Sequence, residues 1–91
     1  MSRKRFRIEI FGRVQGVGFR QSTWNMAQKY QIAGWVRNSD DRHCVLVEAE
    51  GESEPLQQFL VWLRHGPASA RVDRISHREI EIQGDRHFDI R

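Results

Sequence analysis

Apolar and polar residues alternate over 5–11. Phe6, Ile8 and Ile10 fall on one side, Arg7 and Glu9 on the other. A period of two is that of a half-buried strand. Phe11 breaks the alternation and reads as a cover for the strand's edge or its second face. Gly12 and Gly16 then mark a turn. Over 20–30 the period lengthens: Thr23 or Trp24, Ala27 and Tyr30 fall near one helical face. Lys29 suits the negative end of the helix dipole, and Gly34 reads as the stop. Trp35 and Val36 open a short strand that runs into Asn38-Ser39-Asp40-Asp41, which is turn composition.

The second half repeats the order. Over 44–50, Val45, Val47 and Ala49 share a face, while Cys44, Leu46, Glu48 and Glu50 take the other. This strand and the one before it form a hairpin. A loop over 51–54 follows, with Ser53 as the cap of a second helix and Pro55 in its first turn. Leu56, Phe59, Leu60 and Leu63 make the i, i+3, i+4, i+7 stripe of a helix that His65-Gly66-Pro67 closes. The run 72–82 reads as a strand with a bulge or bend near Ser76 and His77, because Val72, Ile75 and Ile80 do not hold one alternation. Gly84-Asp85 is a turn, and 87–91 a short last strand. Two helices cannot cover both faces of so short a sheet. Both are expected on one face of a mainly antiparallel, four- to five-stranded sheet, the α+β arrangement called ferredoxin-like.

At 91 residues the chain predicts a single domain, 1–91. Apolar residues at 38% with clear periods, beside 30% charged residues, predict a soluble globule. Fifteen basic and twelve acidic residues leave +3, too mild a surplus for a nucleic-acid partner to be expected. The basic start Met1-Ser2-Arg3-Lys4-Arg5 reads as a solvated strand end. No apolar run is long enough for a secretory signal or a membrane span, so no membrane is expected and the cytoplasm is the expected location. Cys44 stands alone, and four histidines are scattered without a zinc spacing. No metal and no cofactor are expected, and nothing demands more than a monomer.

The chemistry concentrates in Gly12-Arg13-Val14-Gln15-Gly16-Val17-Gly18-Phe19-Arg20, between the first strand and the first helix. Such a turn can aim successive backbone N–H groups at an anion beside the positive end of the helix. Gln15, Gly16, Val17, Gly18 and Phe19 would line this cradle through their main chain, with Val17 and Phe19 anchoring it in the core. Arg20 adds a permanent charge and a planar fork of donors suited to two phosphate oxygens. The plainer reading of Arg20 is a surface arginine paired with Glu9.

The run resembles the signature of the acylphosphatase family, Gly12-x-Val14-Gln15-Gly16-Val17-x-Phe19-Arg20. A second motif of that family is matched by Gly34-Trp35-Val36-Arg37-Asn38, and Ser69-Ala70-Arg71-Val72-Asp73 and Phe88-x-Ile90-Arg91 also look like it. The resemblance spans essentially the whole chain. It implies hydrolysis of the carboxyl–phosphoryl anhydride of a small-molecule acyl phosphate by direct in-line attack of water, giving carboxylate and inorganic phosphate. It also implies that Arg20 and Asn38 are catalytic: Arg20 grips the phosphate and Asn38 orients the water. The family usually has a glycine in the turn after this asparagine. Here the turn is Ser39-Asp40-Asp41-Arg42-His43, one residue longer, so Asp41 or a neighbour is expected in the left-handed region, or the extra residue in a bulge. The altered turn keeps a second reading open, a weakened or non-catalytic module that binds anions or nucleic acid on the same fold. His43 and Cys44 read as a solvated turn residue and a small buried hydrophobe. Arg91 is expected to bring its terminal carboxylate near basic groups such as Arg71 or Arg74.

Overall fold

Phe6, Ile8 and Ile10 point into the core from β1 (Arg3–Arg13), as their alternation requires. The computed structural model describes residues 2–91; Met1, the first residue of the basic start, lies outside them. Two helices follow in the chain, α1 (Phe19–Tyr30) and α2 (Ser53–His65), with β2 (Ala33–Asn38) and β3 (Cys44–Glu52) between them and β4 (Arg71–Ile80) and β5 (Phe88–Ile90) after them. The strands form one sheet in the order β4-β1-β3-β2-β5. Every neighbour pair is antiparallel except β2 with β5. This is the ferredoxin-like α+β fold, with both helices packed against the face that carries Ile8, Val36, Val45, Val47 and Ala49.

The stripe of α2 behaves as its spacing demands: Leu56, Phe59, Leu60 and Leu63 are all buried. α1 buries Phe19, Thr23 and Ala27, and it starts one residue earlier than the pattern indicated. It ends at Tyr30, where the pattern ends, but Gly34 is not what ends it. Gln31 takes the left-handed conformation (φ 56°, ψ 47°) and its N–H closes the helix onto Ala27 and Gln28 carbonyls. Gly34 is therefore not the stop but a strand residue. A Cβ on it would overlap the Glu48 carbonyl oxygen, so glycine is what lets β2 lie against β3 there.

Other boundaries move for similar reasons. The expected loop over 51–54 is strand and helix: β3 runs to Glu52, and Ser53 is already helical. The cap position falls on Glu52, with no side-chain cap bond, and the Ser53 hydroxyl donates to the Ser2 carbonyl instead. The irregularity in β4 sits at Asp73, not at Ser76–His77. Phe11 faces Arg74 and Gly12 faces Val72, so Asp73 is the extra residue. β4 ends at Ile80, before the predicted end, because 81–82 have no ladder partner.

The second face of the sheet is less wet than alternation implies. Trp35, Cys44 and Leu46 form a small cluster with Phe11 packed on it, so Phe11 covers the second face. Burial, with help from the charges of Glu9 and Asp41, pushes the Cys44 thiol above its ordinary range, which leaves it a protonated apolar filler. Arg5 contradicts the solvated reading of the basic start. It is fully buried on this face and bonded to Glu48, Glu50 and Asp85. Arg91 lies across the sheet from Arg71 and Arg74, with its guanidinium 5.2 Å from the Trp35 ring centre.

Candidate active site

β1 and β2 flank β3 and both run antiparallel to it, so they run parallel to each other. Their C-terminal ends therefore lie at the same end of the sheet, and β5 ends there too. The glycine-rich loop leaves β1 at that end, and Asn38 is the last residue of β2. Topology alone brings together two segments that lie far apart in sequence.

The loop turns into α1 through Gly16 (φ 73°) and Gly18 (φ 78°), both left-handed. Gly18 is the N-cap of α1 and offers no side chain to the first turn. Among the described residues, the N–H groups of Gln15, Gly16, Val17 and Gly18 donate to no backbone acceptor in a loop or turn. A helix start left open in this way is an anion site by its electrostatics. Nothing lies within 4 Å of a Cβ placed on Gly16 or Gly18, so the glycines serve conformation and leave open space in front of the loop.

A hollow of about 230 Å³ occupies this end of the sheet. Gly16, Gly18, Phe19 and Arg20 line one side, Asn38 and Ile90 another. Arg20 is exposed in the first turn of α1, where no acidic residue stands. Among the described residues it has no carboxylate within 4.0 Å, so the pairing with Glu9 is not formed. Asn38 keeps its Oδ1 buried and without a hydrogen-bond partner. Buried side-chain oxygens are nearly always satisfied. A free acceptor on a residue that lines a hollow has the chemistry to take a proton donor from a ligand or a water.

The side chains of Gln15 and Val17 turn away from the hollow's lining and hold the loop. Val17 packs against the core, and its carbonyl accepts a 2.6 Å bond from the Ser69 hydroxyl. The Gln15 carboxamide nitrogen donates to the carbonyls of Ser39, Asp41 and Cys44 at 2.8–3.0 Å, which ties the loop to the β2–β3 hairpin. Sequence reasoning gave Gln15 a main-chain role only. Nothing local signals the clamp, because its acceptors are 24 to 29 residues away.

The glycine-free turn is solved differently from either expectation. No residue over 39–43 has positive φ, and the β2–β3 ladder runs from Ala33 to Asn38 with no register shift. The extra residue is absorbed in the loop. Asp41 Oδ1 accepts from the His43 N–H at 2.9 Å, and the Asp41 carbonyl accepts from the Cys44 N–H at 3.1 Å. A side-chain oxygen thus closes the turn that a glycine would otherwise allow. Replacing Gln15 by Ala removes the clamp: the Asp41 and Cys44 carbonyls keep the Cys44 and Ser39 N–H groups, and the Ser39 carbonyl loses its donor. The substitution is expected to cost about 1–3 kcal/mol in urea denaturation. An unchanged midpoint would show that the clamp carries no load.

The fold and the hollow define a small α+β domain with an open, glycine-lined hollow at one end of its sheet. Comparison with known proteins gives the family. The family model described as Acylphosphatase matches residues 6–90. An acylphosphatase of Pseudomonas paraeruginosa is 44% identical over 82 residues, covering 90% of this chain and 89% of that protein. The crystal structure of an acylphosphatase from Bacillus subtilis superposes with a TM-score of 0.91 at 40% identity, covering 96% of this chain and 97% of that one. An acylphosphatase structure from Coxiella burnetii gives a TM-score of 0.93 at 31% identity, with 98% and 93% covered. The chain belongs to the acylphosphatase family, enzymes that hydrolyse acyl phosphates to a carboxylate and inorganic phosphate. Among the described residues no group of three or more His, Cys, Asp or Glu is placed to hold a metal ion, and no helix is long and apolar enough to cross a membrane.

Proposed function

We propose that Arg20 and the main-chain N–H groups of Gln15 to Phe19 hold the phosphoryl group of an acyl phosphate, and that Asn38 Oδ1 holds the attacking water in line with the scissile bond. Water oxygen bonds to phosphorus as the bond from phosphorus to the acyl oxygen breaks. The carboxylate leaves with the electron pair, and a phosphate oxygen takes the water's proton. A carboxylate is a weak base, so it needs no acid to leave. An amide positions water but does not deprotonate it. The work is positioning and charge stabilisation.

One observation carries this reading: Asn38, whose amide oxygen is buried and unpartnered, lines the same hollow as the glycine loop and Arg20, which has no carboxylate partner among the described residues. The lone, buried Cys44 needs no oxidising compartment, which supports the cytoplasm as the place of work. The same reading has the protein acting without metal or cofactor, as a monomer, on a small molecule and not on nucleic acid.

The test is hydrolysis of benzoyl phosphate with and without chelator. Turnover is expected in both. Asn38→Ala is expected to lower kcat by about 10²-fold while KM changes little, the signature of a group that acts on the water and not on the substrate. A raised KM at full kcat would move Asn38 from the water to the substrate. Tight phosphate binding without turnover would replace the enzyme by a binding module.

A further inference from the structure

We propose that Ser69 is a positioning residue for the glycine loop: its hydroxyl sets the orientation of the Val17–Gly18 peptide and so aims the Gly18 N–H at the phosphoryl group. This rests on the reading of the site given above and adds a residue that prepares the loop from outside it. Ser69 stands 52 residues after Val17, in the connection between α2 and β4, and does not line the hollow. Its Oγ donates to the Val17 carbonyl at 2.6 Å. Among the described residues no backbone N–H in a loop or turn donates to that carbonyl. The peptide is rigid and trans, so its C=O and its N–H point in opposite directions. A Val17 carbonyl turned toward Ser69 puts the Gly18 N–H on the other side, where Gly16 and Gly18 line the hollow.

This peptide is the one that needs an outside hold. Its neighbours are fixed by other means: the Gly18 carbonyl accepts the Ser22 N–H at 3.0 Å as α1 begins, and the Gln15 carboxamide ties the start of the loop to the hairpin. The 17–18 plane precedes a glycine at φ 78°, and a half turn of the plane carries that φ to the negative side, which glycine adopts as readily. The glycine that permits the productive orientation therefore also permits the wrong one. Ser69 is itself braced. The Ala70 N–H closes the turn onto the Pro67 carbonyl at 3.0 Å, and Ala70 and Val72 pack against the core. Gly66 (φ 68°) lies so close to the Phe19 ring that a Cβ on it would stand 2.6 Å from a ring carbon. The segment 66–70 thus backs the loop, and a hydroxyl presented from it can choose between the two orientations. Without that choice the share of molecules ready to bind falls, and affinity falls with it.

The test titrates inorganic phosphate as a competitive inhibitor of benzoyl phosphate hydrolysis by the wild type, Ser69→Ala and Ser69→Thr. Ser69→Ala is expected to raise the phosphate inhibition constant and KM together by about fivefold and to leave kcat within about twofold, because the Gly18 N–H serves bound substrate and transition state alike. Ser69→Thr keeps a hydroxyl at an exposed position and is expected to stay within about twofold of the wild type in both. In nuclear magnetic resonance spectra without phosphate, the Gly18 amide signal of Ser69→Ala is expected to differ from that of the wild type, and to converge on it at saturating phosphate. A bond that serves stability alone would lower the urea midpoint of Ser69→Ala while the inhibition constant, KM and the Gly18 signal stayed put, and that result would overturn the proposal. A loss that Ser69→Thr shares would also overturn it, by assigning the effect to packing and not to the hydroxyl. Wild type and Ser69→Ala binding phosphate equally well would remove the role of Ser69 and leave the hydrolase reading intact. A wild type that neither binds phosphate nor turns over would overturn the reading of the site and this proposal with it.

Discussion

Arg20→Ala is expected to abolish most turnover, lowering kcat/KM for benzoyl phosphate by about 10³-fold, the scale seen when one cationic clamp is taken from a transferring phosphoryl group. Arg20→Lys should restore little of it, because a point charge cannot reproduce a two-point grip. Inorganic phosphate should bind more weakly to both variants. Stability is the control that separates function from structure. Arg20 stands in the first turn of α1, where the helix dipole is positive and no acidic residue offsets it. It has no carboxylate partner among the described residues and is exposed. Removing it should leave the unfolding midpoint unchanged or slightly raised. An Arg20→Ala protein that unfolds more easily, or one that still turns over at full rate, would refute the clamp. A cation kept at the wrong end of a helix makes physical sense only when an anion comes to it.

The features legible in the sequence are those written in short-range periodicity. β1 and α2 announce themselves because every residue of their buried stripes lies within a few positions of the next. The glycine run could be read as an anion site for the same reason: its chemistry is local. Asn38 could not. Asn38-Ser39-Asp40-Asp41 is turn composition, and only family resemblance singled out its first residue. In the fold its significance comes from a buried oxygen at one end of the sheet, opposite a loop some twenty residues earlier. Gln15, Arg5 and Gly34 were misread or half-read for that same cause. Each takes its role from a partner on another strand or loop: the hairpin carbonyls for Gln15, Glu48 and Glu50 for Arg5, the Glu48 carbonyl for Gly34. Alternation predicted one dry and one wet face for β3, yet every residue from Cys44 to Gly51 is buried. The second face is closed partly by an apolar cluster and partly by ions, and ionic closure leaves no hydrophobic signal.

Arg5→Met is expected to destabilise the fold by about 3–5 kcal/mol at pH 7, the usual cost of removing one partner from a buried ion cluster. The wild-type guanidinium is enclosed. Nε and Nη2 donate to Glu48 Oε1 at 3.0 and 2.7 Å, and Nη1 donates to Glu50 at 3.0 Å and Asp85 at 3.1 Å. Glu48 keeps Arg7 as a second cation. Glu50 is fully buried and would keep only the 3.6 Å contact to Arg3 and the N–H groups of Gln83 and Gly84. The pH dependence should then weaken. Burial opposes the charge on Glu50, but the Gln83 N–H, Arg5 and the Gly84 N–H outweigh it and hold the carboxyl below its usual range. That stabilisation is present above the unfolded value, about 4.3, and is lost as pH falls through the lower folded value. In Arg5→Met the Gln83 and Gly84 N–H groups face the burial without the guanidinium, the folded carboxyl rises, and acid costs the variant less than it costs the wild type. Urea denaturation from pH 7 to pH 4 should therefore show the gap between the two proteins narrowing. A gap that stayed constant would mean that Glu50 never felt Arg5. Arg5→Met combined with Glu50→Gln should recover part of the loss at pH 7, because what harms the single variant is an anion stranded away from water.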